Sequence, residues 1–171
     1  MARSLTFVLG GASSGKSAYA EALVRAHPAP WVYLATAQAF DAEMTAKIEQ
    51  HQARRGLGWD TIEAPLNLST PLREATRGVV LVDCVTLWLS NLLLQERDLT
   101  SETAALVEAL HACPRPVVVV SNEVGQGIVP EHALGRRFRE AQGRLNVALA
   151  AQAGTVVQVV AGLPNVLKGH P

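Results

Sequence analysis

One stretch near the N-terminus restricts the fold more than any other part of the chain: Leu5-Thr6-Phe7-Val8-Leu9-Gly10-Gly11-Ala12-Ser13-Ser14-Gly15-Lys16-Ser17, an apolar run that breaks into glycine and ends in Gly-Lys-Ser. Gly10, Gly11, Ala12, Ser13, Ser14, Gly15, Lys16 and Ser17 fit the phosphate-binding pattern G-x-x-x-x-G-K-[ST]. Each residue type serves the chemistry. Glycines let backbone N–H groups curl around phosphate oxygens, Lys16 neutralises the terminal phosphates, and the Ser17 hydroxyl is suited to Mg²⁺. The following stretch, Ser17–Ala26, is rich in Ala, Leu and Glu and reads as a helix whose N-terminus points its partial positive charge at the anion. A Gly/Ser-rich turn can also join a strand to a helix by chance, but here strand, loop and helix fall in the order the motif needs.

Beyond that stretch the chain alternates short apolar runs with amphipathic ones. Strands are expected at Leu5–Leu9, Trp31–Ala35, Val79–Val82, Val117–Ser121 and Val156–Ala161, each nearly continuous in apolar residues, as strands buried on both faces are. Helical patterns fill the intervals Ser17–Ala26, Ala42–Arg55, Pro71–Thr76, Leu87–Leu94, Ser101–Ala112 and Leu134–Gln152. Thr100 or Ser101 is suited to cap its helix, and Pro114 stops it. Gly56–Ser69 has no clear period and is expected as a loop of functional length. The fold class is therefore α/β, of the P-loop NTPase type, with a mainly parallel sheet covered by helices on both faces. No linker, repeat or low-complexity tract divides residues 1–171, which points to one nucleotide-binding catalytic domain.

Composition narrows the partners. With a formal net charge of zero, no global attraction to nucleic acid or anionic membranes is expected. No apolar run approaches the ~20 residues of a membrane-spanning helix. Met1-Ala2-Arg3-Ser4 leads directly into a strand rather than a cleavable signal, so a cytoplasmic protein is expected. Cys84 and Cys113 form no C-x-x-C pair and read as buried, reduced thiols.

In an open parallel sheet, ligands gather at the carboxyl ends of the strands. After the second strand come Thr36, Ala37 and Gln38, suited to line a pocket or simply to lead into the next helix. After the third comes Asp83, closing Val79-Val80-Leu81-Val82-Asp83 in the Walker B manner; it serves either as a Mg²⁺ ligand or as a helix cap. After the fourth, Ser121-Asn122-Glu123-Val124-Gly125-Gln126-Gly127-Ile128-Val129-Pro130 reads equally as a substrate loop and as a structural turn. On the helix Asp41–Arg55, His51 falls between an apolar stripe of Met44 and Ile48 and an edge of Lys47, Arg54 and Arg55. It is either a half-buried packing residue or a nucleophile. Surrounding cations would favour the neutral, nucleophilic imidazole. The other histidines, His27, His111, His132 and His170, read as surface or packing residues.

These motifs together resemble the bifunctional adenosylcobinamide kinase / adenosylcobinamide-phosphate guanylyltransferases of cobalamin biosynthesis. The resemblance runs over nearly the whole chain and includes the phosphate loop, Tyr33-Leu34-Ala35-Thr36-Ala37, Asp41-x-Glu43-Met44 with Lys47-Ile48-x-x-His51-x-x-Arg54-Arg55, and Trp59-x-Thr61-x-Glu63. It continues through Val82-Asp83-Cys84-Val85-Thr86-Leu87-Trp88, Asn91-Leu92-Leu93, the Ser121–Pro130 segment, Arg136-Arg137-Phe138-Arg139 and Gly143-Arg144-Leu145-Asn146.

The resemblance implies phosphorylation of the aminopropanol hydroxyl of adenosylcobinamide by a nucleoside triphosphate, ATP or GTP, followed by transfer of GMP from GTP to that phosphate. It also implies a guanylylated histidine at His51 and nucleotide contacts from Gly11 to Ala18, Thr36, Ala37, Gln38, Gln52, Ala53, Arg54, Arg55, Glu63 and Asp83, with Mg²⁺ at Ser17 and Asp83. A homotrimer is implied too, and Trp31, Trp59 and Trp88 are candidates for surface that partner subunits cover. Two departures stand out, Ser13 where the family usually has Arg and Gly56 where Pro commonly follows. Two other readings remain at this stage. One is a plain P-loop kinase of another small alcohol; the other is a non-catalytic GTP switch, against which the chain has no Asn-Lys-x-Asp guanine-reading motif.

Overall fold

The computed structural model describes residues 4–171, so the N-terminal Met1-Ala2-Arg3 and the side chain of Arg54 lie outside the described residues. The elements in chain order are β1 (Leu5–Gly10), α1 (Lys16–Arg25), β2 (Trp31–Ala35), α2 (Ala42–Arg55), β3 (Trp59–Glu63), α3 (Ser69–Arg73), β4 (Val80–Asp83), α4 (Val85–Leu94), α5 (Leu99–Ala112), β5 (Val117–Asn122), α6 (Ala133–Gln152), β6 (Thr155–Val160) and β7 (Leu163–Lys168). All seven strands form one sheet in the order β3-β2-β4-β5-β1-β6-β7. Every pairing is parallel except that of β7, which runs antiparallel to β6.

The apolar strands are legible because both faces are covered. Phe7, Leu34, Val82 and Val119 turn to one face, where they meet Leu72, Trp88, Leu92, Leu106 and Leu149 from α3 to α6. Val8, Leu81, Val118 and Val120 turn to the other, against Ala20 and Val24 of α1. Residues of α2 enter neither core among the described residues. Packing therefore leaves that helix defined mainly by its own cap, where Asp41 accepts from the Met44 amide at 2.7 Å, and by contacts at the site.

Two strands escaped the pattern. β3 lies inside the expected Gly56–Ser69 loop, and β7 follows the last expected strand. Both are sheet edges whose residues are largely exposed, and neither carries the continuous apolar run of a strand covered on both sides. The cap of α5 also differs, because Asp98 accepts from the Thr100 amide and from the Ser101 hydroxyl, so the helix starts at Leu99. The tryptophans are used within the chain rather than as open surface. Trp88 is fully buried and donates to the Leu66 carbonyl, while Trp31 and Trp59 pack against each other at 5.3 Å. Cys84 and Cys113 are buried and unbridged, as expected.

Gly78, just before β4, has φ +69°, and a Cβ there would lie 2.1 Å from the Pro30 carbonyl oxygen. The neighbour is backbone and cannot swing aside. Gly78→Ala is expected to lower stability by about 1–3 kcal/mol, read as a lower denaturant midpoint with an unchanged slope.

Candidate active site

The phosphate loop joins β1, an interior strand between β5 and β6, to α1. Its first glycine is required by space: a Cβ on Gly10 would lie 2.5 Å from Ser14 Oγ and 2.6 Å from the Val159 carbonyl oxygen. Gly15 supplies the left-handed turn into the helix with φ +91°, and no side chain caps the first turn of α1. The amides at that helix end are therefore directed to the loop's concavity, as an anion site requires. Lys16 is buried and donates from Nζ to the Gly11 carbonyl at 3.0 Å, which folds the ammonium into the loop. Ser14 Oγ is buried without a hydrogen-bond partner, a polar atom in the cradle that a phosphate oxygen would satisfy. Ala12 and Ser13 form the exposed crown of the loop, and Ala18 is exposed on the first turn of α1.

Beside the loop lies the end of β4. The Ser17 hydroxyl donates to Asp83 Oδ1 at 3.4 Å, and the Tyr33 hydroxyl donates to Oδ2 at 3.2 Å. Desolvation raises the Asp83 pKa above its ordinary value, and the His51 ring and the hydrogen bonds from Ser17 and Tyr33 oppose that rise. Burial likewise raises the Tyr33 hydroxyl, with the charge of Asp83 as the next cause. Burial and Asp83 also push the Cys84 thiol up to about 11, which keeps it protonated and unreactive at neutral pH. One hydroxyl and one carboxylate, both hard oxygen donors, fit Mg²⁺.

The helix α2 completes the site. An oxygen of Glu21, a ring nitrogen of His51 and an oxygen of Asp83 all lie within 4.8 Å of one another, a donor set that can also hold a metal ion. The surround of His51 is therefore mixed: Lys47 and Arg55 line one cavity with it, as the helix edge implies, and two carboxylates that this edge does not reveal stand beside the ring. Lys47 pairs with Glu43 at 2.6 Å on the exposed face. Arg55 is buried with its guanidinium 3.6 Å from the centroid of the Tyr33 ring, and its carbonyl accepts from Arg25 at 3.2 Å. Lys47 and Arg55 thus have partners of their own, and both still line the cavity that His51 opens into.

A cavity of about 180 Å³ opens between α2 and the sheet, lined by residues that include Ala37, Met44, His51, Gln52, Arg55, Glu63 and Asp83. Of the implied nucleotide residues, Ala37, Gln52, Arg55, Glu63 and Asp83 line this cavity, and Asp83 ties it to the phosphate loop through Ser17. Thr36 is not in the lining and serves as support behind it: its side chain is fully buried, with the hydroxyl donating to the Cys84 carbonyl at 2.7 Å and accepting from the Cys84 amide at 2.9 Å. That side chain cannot turn to a ligand without breaking the β4–α4 junction. Gln38, half-buried, and Ala53, exposed, do not belong to the lining. Tyr33 and Glu21 are participants that the pattern did not single out. A signal for Glu21 existed, since it stands four residues after Ser17 and so shares its face of α1.

The Ser121–Pro130 segment behaves as a braced turn. The Gly125 amide donates to the Glu123 carboxylate, Arg139 donates to the carbonyls of Gly125 and Gly127, and Arg136 donates to those of Pro130 and Glu131. Its base is fixed by a buried network in which Ser121 and Gln142 donate to Asn146 Oδ1 and Asn146 donates to the Asn122 carbonyl. This segment lines a separate depression of about 620 Å³ against α6, larger than the cavity at His51 but distant from the phosphate loop in its lining.

Gly10→Ala is expected to abolish nucleotide binding while the sheet remains folded, because the new methyl would collide with the Val159 carbonyl and with Ser14. Titration of a fluorescent GTP analogue beside far-ultraviolet circular dichroism checks both halves of that expectation.

Comparison with known proteins shows the family. Residues 6–167 match the family described as cobinamide kinase / cobinamide phosphate guanyltransferase. The chain is 48% identical to the bifunctional adenosylcobalamin biosynthesis protein CobP of Pseudomonas aeruginosa, over 96% of this chain and 97% of that protein. It is 40% identical to the proteins named CobU of Salmonella typhimurium and Escherichia coli, over 93% of this chain and 97% of each. Among solved structures, a protein from Pyrococcus horikoshii OT3 aligns with a TM-score of 0.57 over 98% of this chain and 87% of its own, at 11% identity. A KaiC-like protein from the same archaeon aligns at 0.50 over 91% of this chain and 70% of its own, also at 11% identity. These structural likenesses bear on the fold alone.

Proposed function

The chain belongs to the cobinamide kinase / cobinamide phosphate guanyltransferase family, and on that premise we propose how its residues divide the two reactions. The enzyme is a bifunctional transferase of adenosylcobalamin biosynthesis, acting as kinase and as guanylyltransferase. The observation that carries the assignment is the position of His51. Its ring lies within 4.8 Å of Asp83, which is itself hydrogen-bonded to Ser17 at the end of the phosphate loop. A nucleophile and a triphosphate cradle thus share one carboxylate.

In the phosphoryl step, the aminopropanol hydroxyl oxygen of adenosylcobinamide attacks the γ-phosphorus of ATP or GTP, and the nucleoside diphosphate leaves. Lys16 and the loop amides stabilise the charge that spreads over the transferred group. In the guanylyl step, a ring nitrogen of His51 bonds to the α-phosphorus of GTP as the bond to the β-phosphate oxygen breaks, and pyrophosphate leaves. The phosphate oxygen of the first product then attacks the same phosphorus, the N–P bond breaks, and adenosylcobinamide-GDP departs with the imidazole restored. Ser17 and Asp83 are the residues to hold Mg²⁺, which neutralises phosphate charge when bound. Gln52, Arg55 and Glu63 line the nucleotide side of the cavity, and Arg54 is assigned there by the resemblance alone. One domain carries both activities, and the cytoplasm is its compartment.

Assembly follows the same reading. We place a homotrimer here, supported by the resemblance and by exposed apolar residues on the 123–132 segment and α6, where Ile128 is 96% and Val147 71% exposed. Light scattering at micromolar concentration is expected to give three times the chain mass; a monomer would count against it.

One substitution tests the shared cradle and another separates the steps. Lys16→Ala is expected to lower both rates by at least about 100-fold, since both depend on the same cradle. His51→Ala is expected to abolish GMP transfer and the acid-labile GMP adduct, detected by intact mass after incubation with GTP and Mg²⁺, yet to keep part of the kinase rate. Wild-type labelling at another residue, or normal GMP transfer by His51→Ala, would return the chain to a plain kinase mechanism at this site.

A further inference from the structure

On the face of α1 that looks toward α2 stand Ser17, Glu21 and Arg25, each four residues after the last. That spacing puts them one above another on a helix. Each meets a different part of the site. Ser17 donates to Asp83, Glu21 lies within 4.8 Å of the His51 ring, and Arg25 donates to the Arg55 carbonyl at the end of α2. Because α2 contributes to neither core, this rail is a principal means of holding its inner face in place.

Glu21 is the member without a role in the two reactions as derived above. Its side chain is only 1% exposed, and Arg25 lies 3.5 Å from Oε2 as a partly exposed counter-charge. A carboxylate so deeply placed is costly unless it accepts hydrogen bonds from its neighbours. Asp83, the other carboxylate at the ring, accepts from Ser17 on one oxygen and from Tyr33 on the other, and it is assigned to the metal side. An imidazole nucleophile uses one nitrogen and presents the other as an N–H, so the group that accepts that N–H decides which nitrogen attacks.

We infer that Glu21 is a positioning residue for guanylyl transfer: its carboxylate accepts the N–H of one His51 ring nitrogen and directs the other nitrogen to the α-phosphorus of GTP. The inference rests on His51 being the nucleophile. Glu21 touches neither substrate nor the reacting phosphorus, and the phosphoryl step, which uses no enzyme nucleophile, does not call on it. As the N–P bond forms, the carboxylate stabilises the positive charge that develops on the ring, and it relaxes when pyrophosphate has left and the bond breaks again.

The test uses single-turnover labelling of the full chain with GTP and Mg²⁺, kinase assays on the same preparations, and ¹⁵N NMR of the His51 ring to report its tautomer. Glu21→Leu keeps much of the volume and removes the acceptor. It is expected to slow formation of the GMP adduct by about 10- to 100-fold, at least tenfold more than it slows the kinase, and to change the tautomer pattern. Glu21→Gln, which restores a neutral acceptor, is expected to recover part of the labelling rate. An unlabelled wild type would overturn the covalent role of His51 and this assignment with it. A labelled wild type matched by Glu21→Leu would overturn the assignment alone, as would equal losses in both reactions without recovery by Glu21→Gln, which mark a structural residue.

Discussion

Two carboxylates, Glu21 and Asp83, come together where the protein is poorly hydrated, and the need to balance them organises the elements around the site. Ser17 from α1, Tyr33 from β2, His51 from α2 and Arg25 from α1 all contribute donors or positive charge there. Arg55 adds a second tie, lying over the Tyr33 ring whose hydroxyl reaches Asp83. The result is that the helix bearing the histidine, which lacks an apolar footing, is fixed to the sheet chiefly by polar contacts. Such contacts are the ones a triphosphate and its metal can rearrange, because phosphate and cation offer the same groups new partners.

The sheet explains why these groups meet at all. Parallel strands place all their carboxyl ends on one edge, so the phosphate loop after β1, Ala37 after β2, Glu63 at the end of β3 and Asp83 at the end of β4 belong to one rim. Covering the two faces with different helices then divides the work. On one side α3 to α6 supply a large apolar core, and on the other α1 packs closely over the central strands while α2 stands off and leaves the cavity. The Ser121–Gln142–Asn146 network gives the large-core side its own polar brace, and it holds the end of β5 beside β1, where the Glu123 amide donates to the Gly10 carbonyl.

Much of this was legible in the sequence. Five apolar runs, the glycine-rich loop and the carboxylate closing β4 identify a P-loop α/β fold, because strands covered on both faces must be apolar throughout and a phosphate cradle must have glycine where a Cβ would strike backbone. The chain of motifs also led to the right family, which no single pattern would have done. The edge strands β3 and β7 left no such mark, since exposed residues obey no burial rule.

What the tertiary structure alone decided is where the charges point. Lys47 and Arg55 share a helix edge with His51 in sequence and line its cavity, yet Arg55 also lies over Tyr33, Lys47 pairs with Glu43, and the carboxylates of Glu21 and Asp83 stand beside the ring as well. Helical periodicity determines which side chains share a face, but the charge opposite that face comes from residues 30 or more positions away on α1 and β4. Thr36 shows the same limit at shorter range: its place after β2 is plain in the sequence, while its commitment to the Cys84 backbone, which closes it to ligand, depends on how β4 and α4 join beside it.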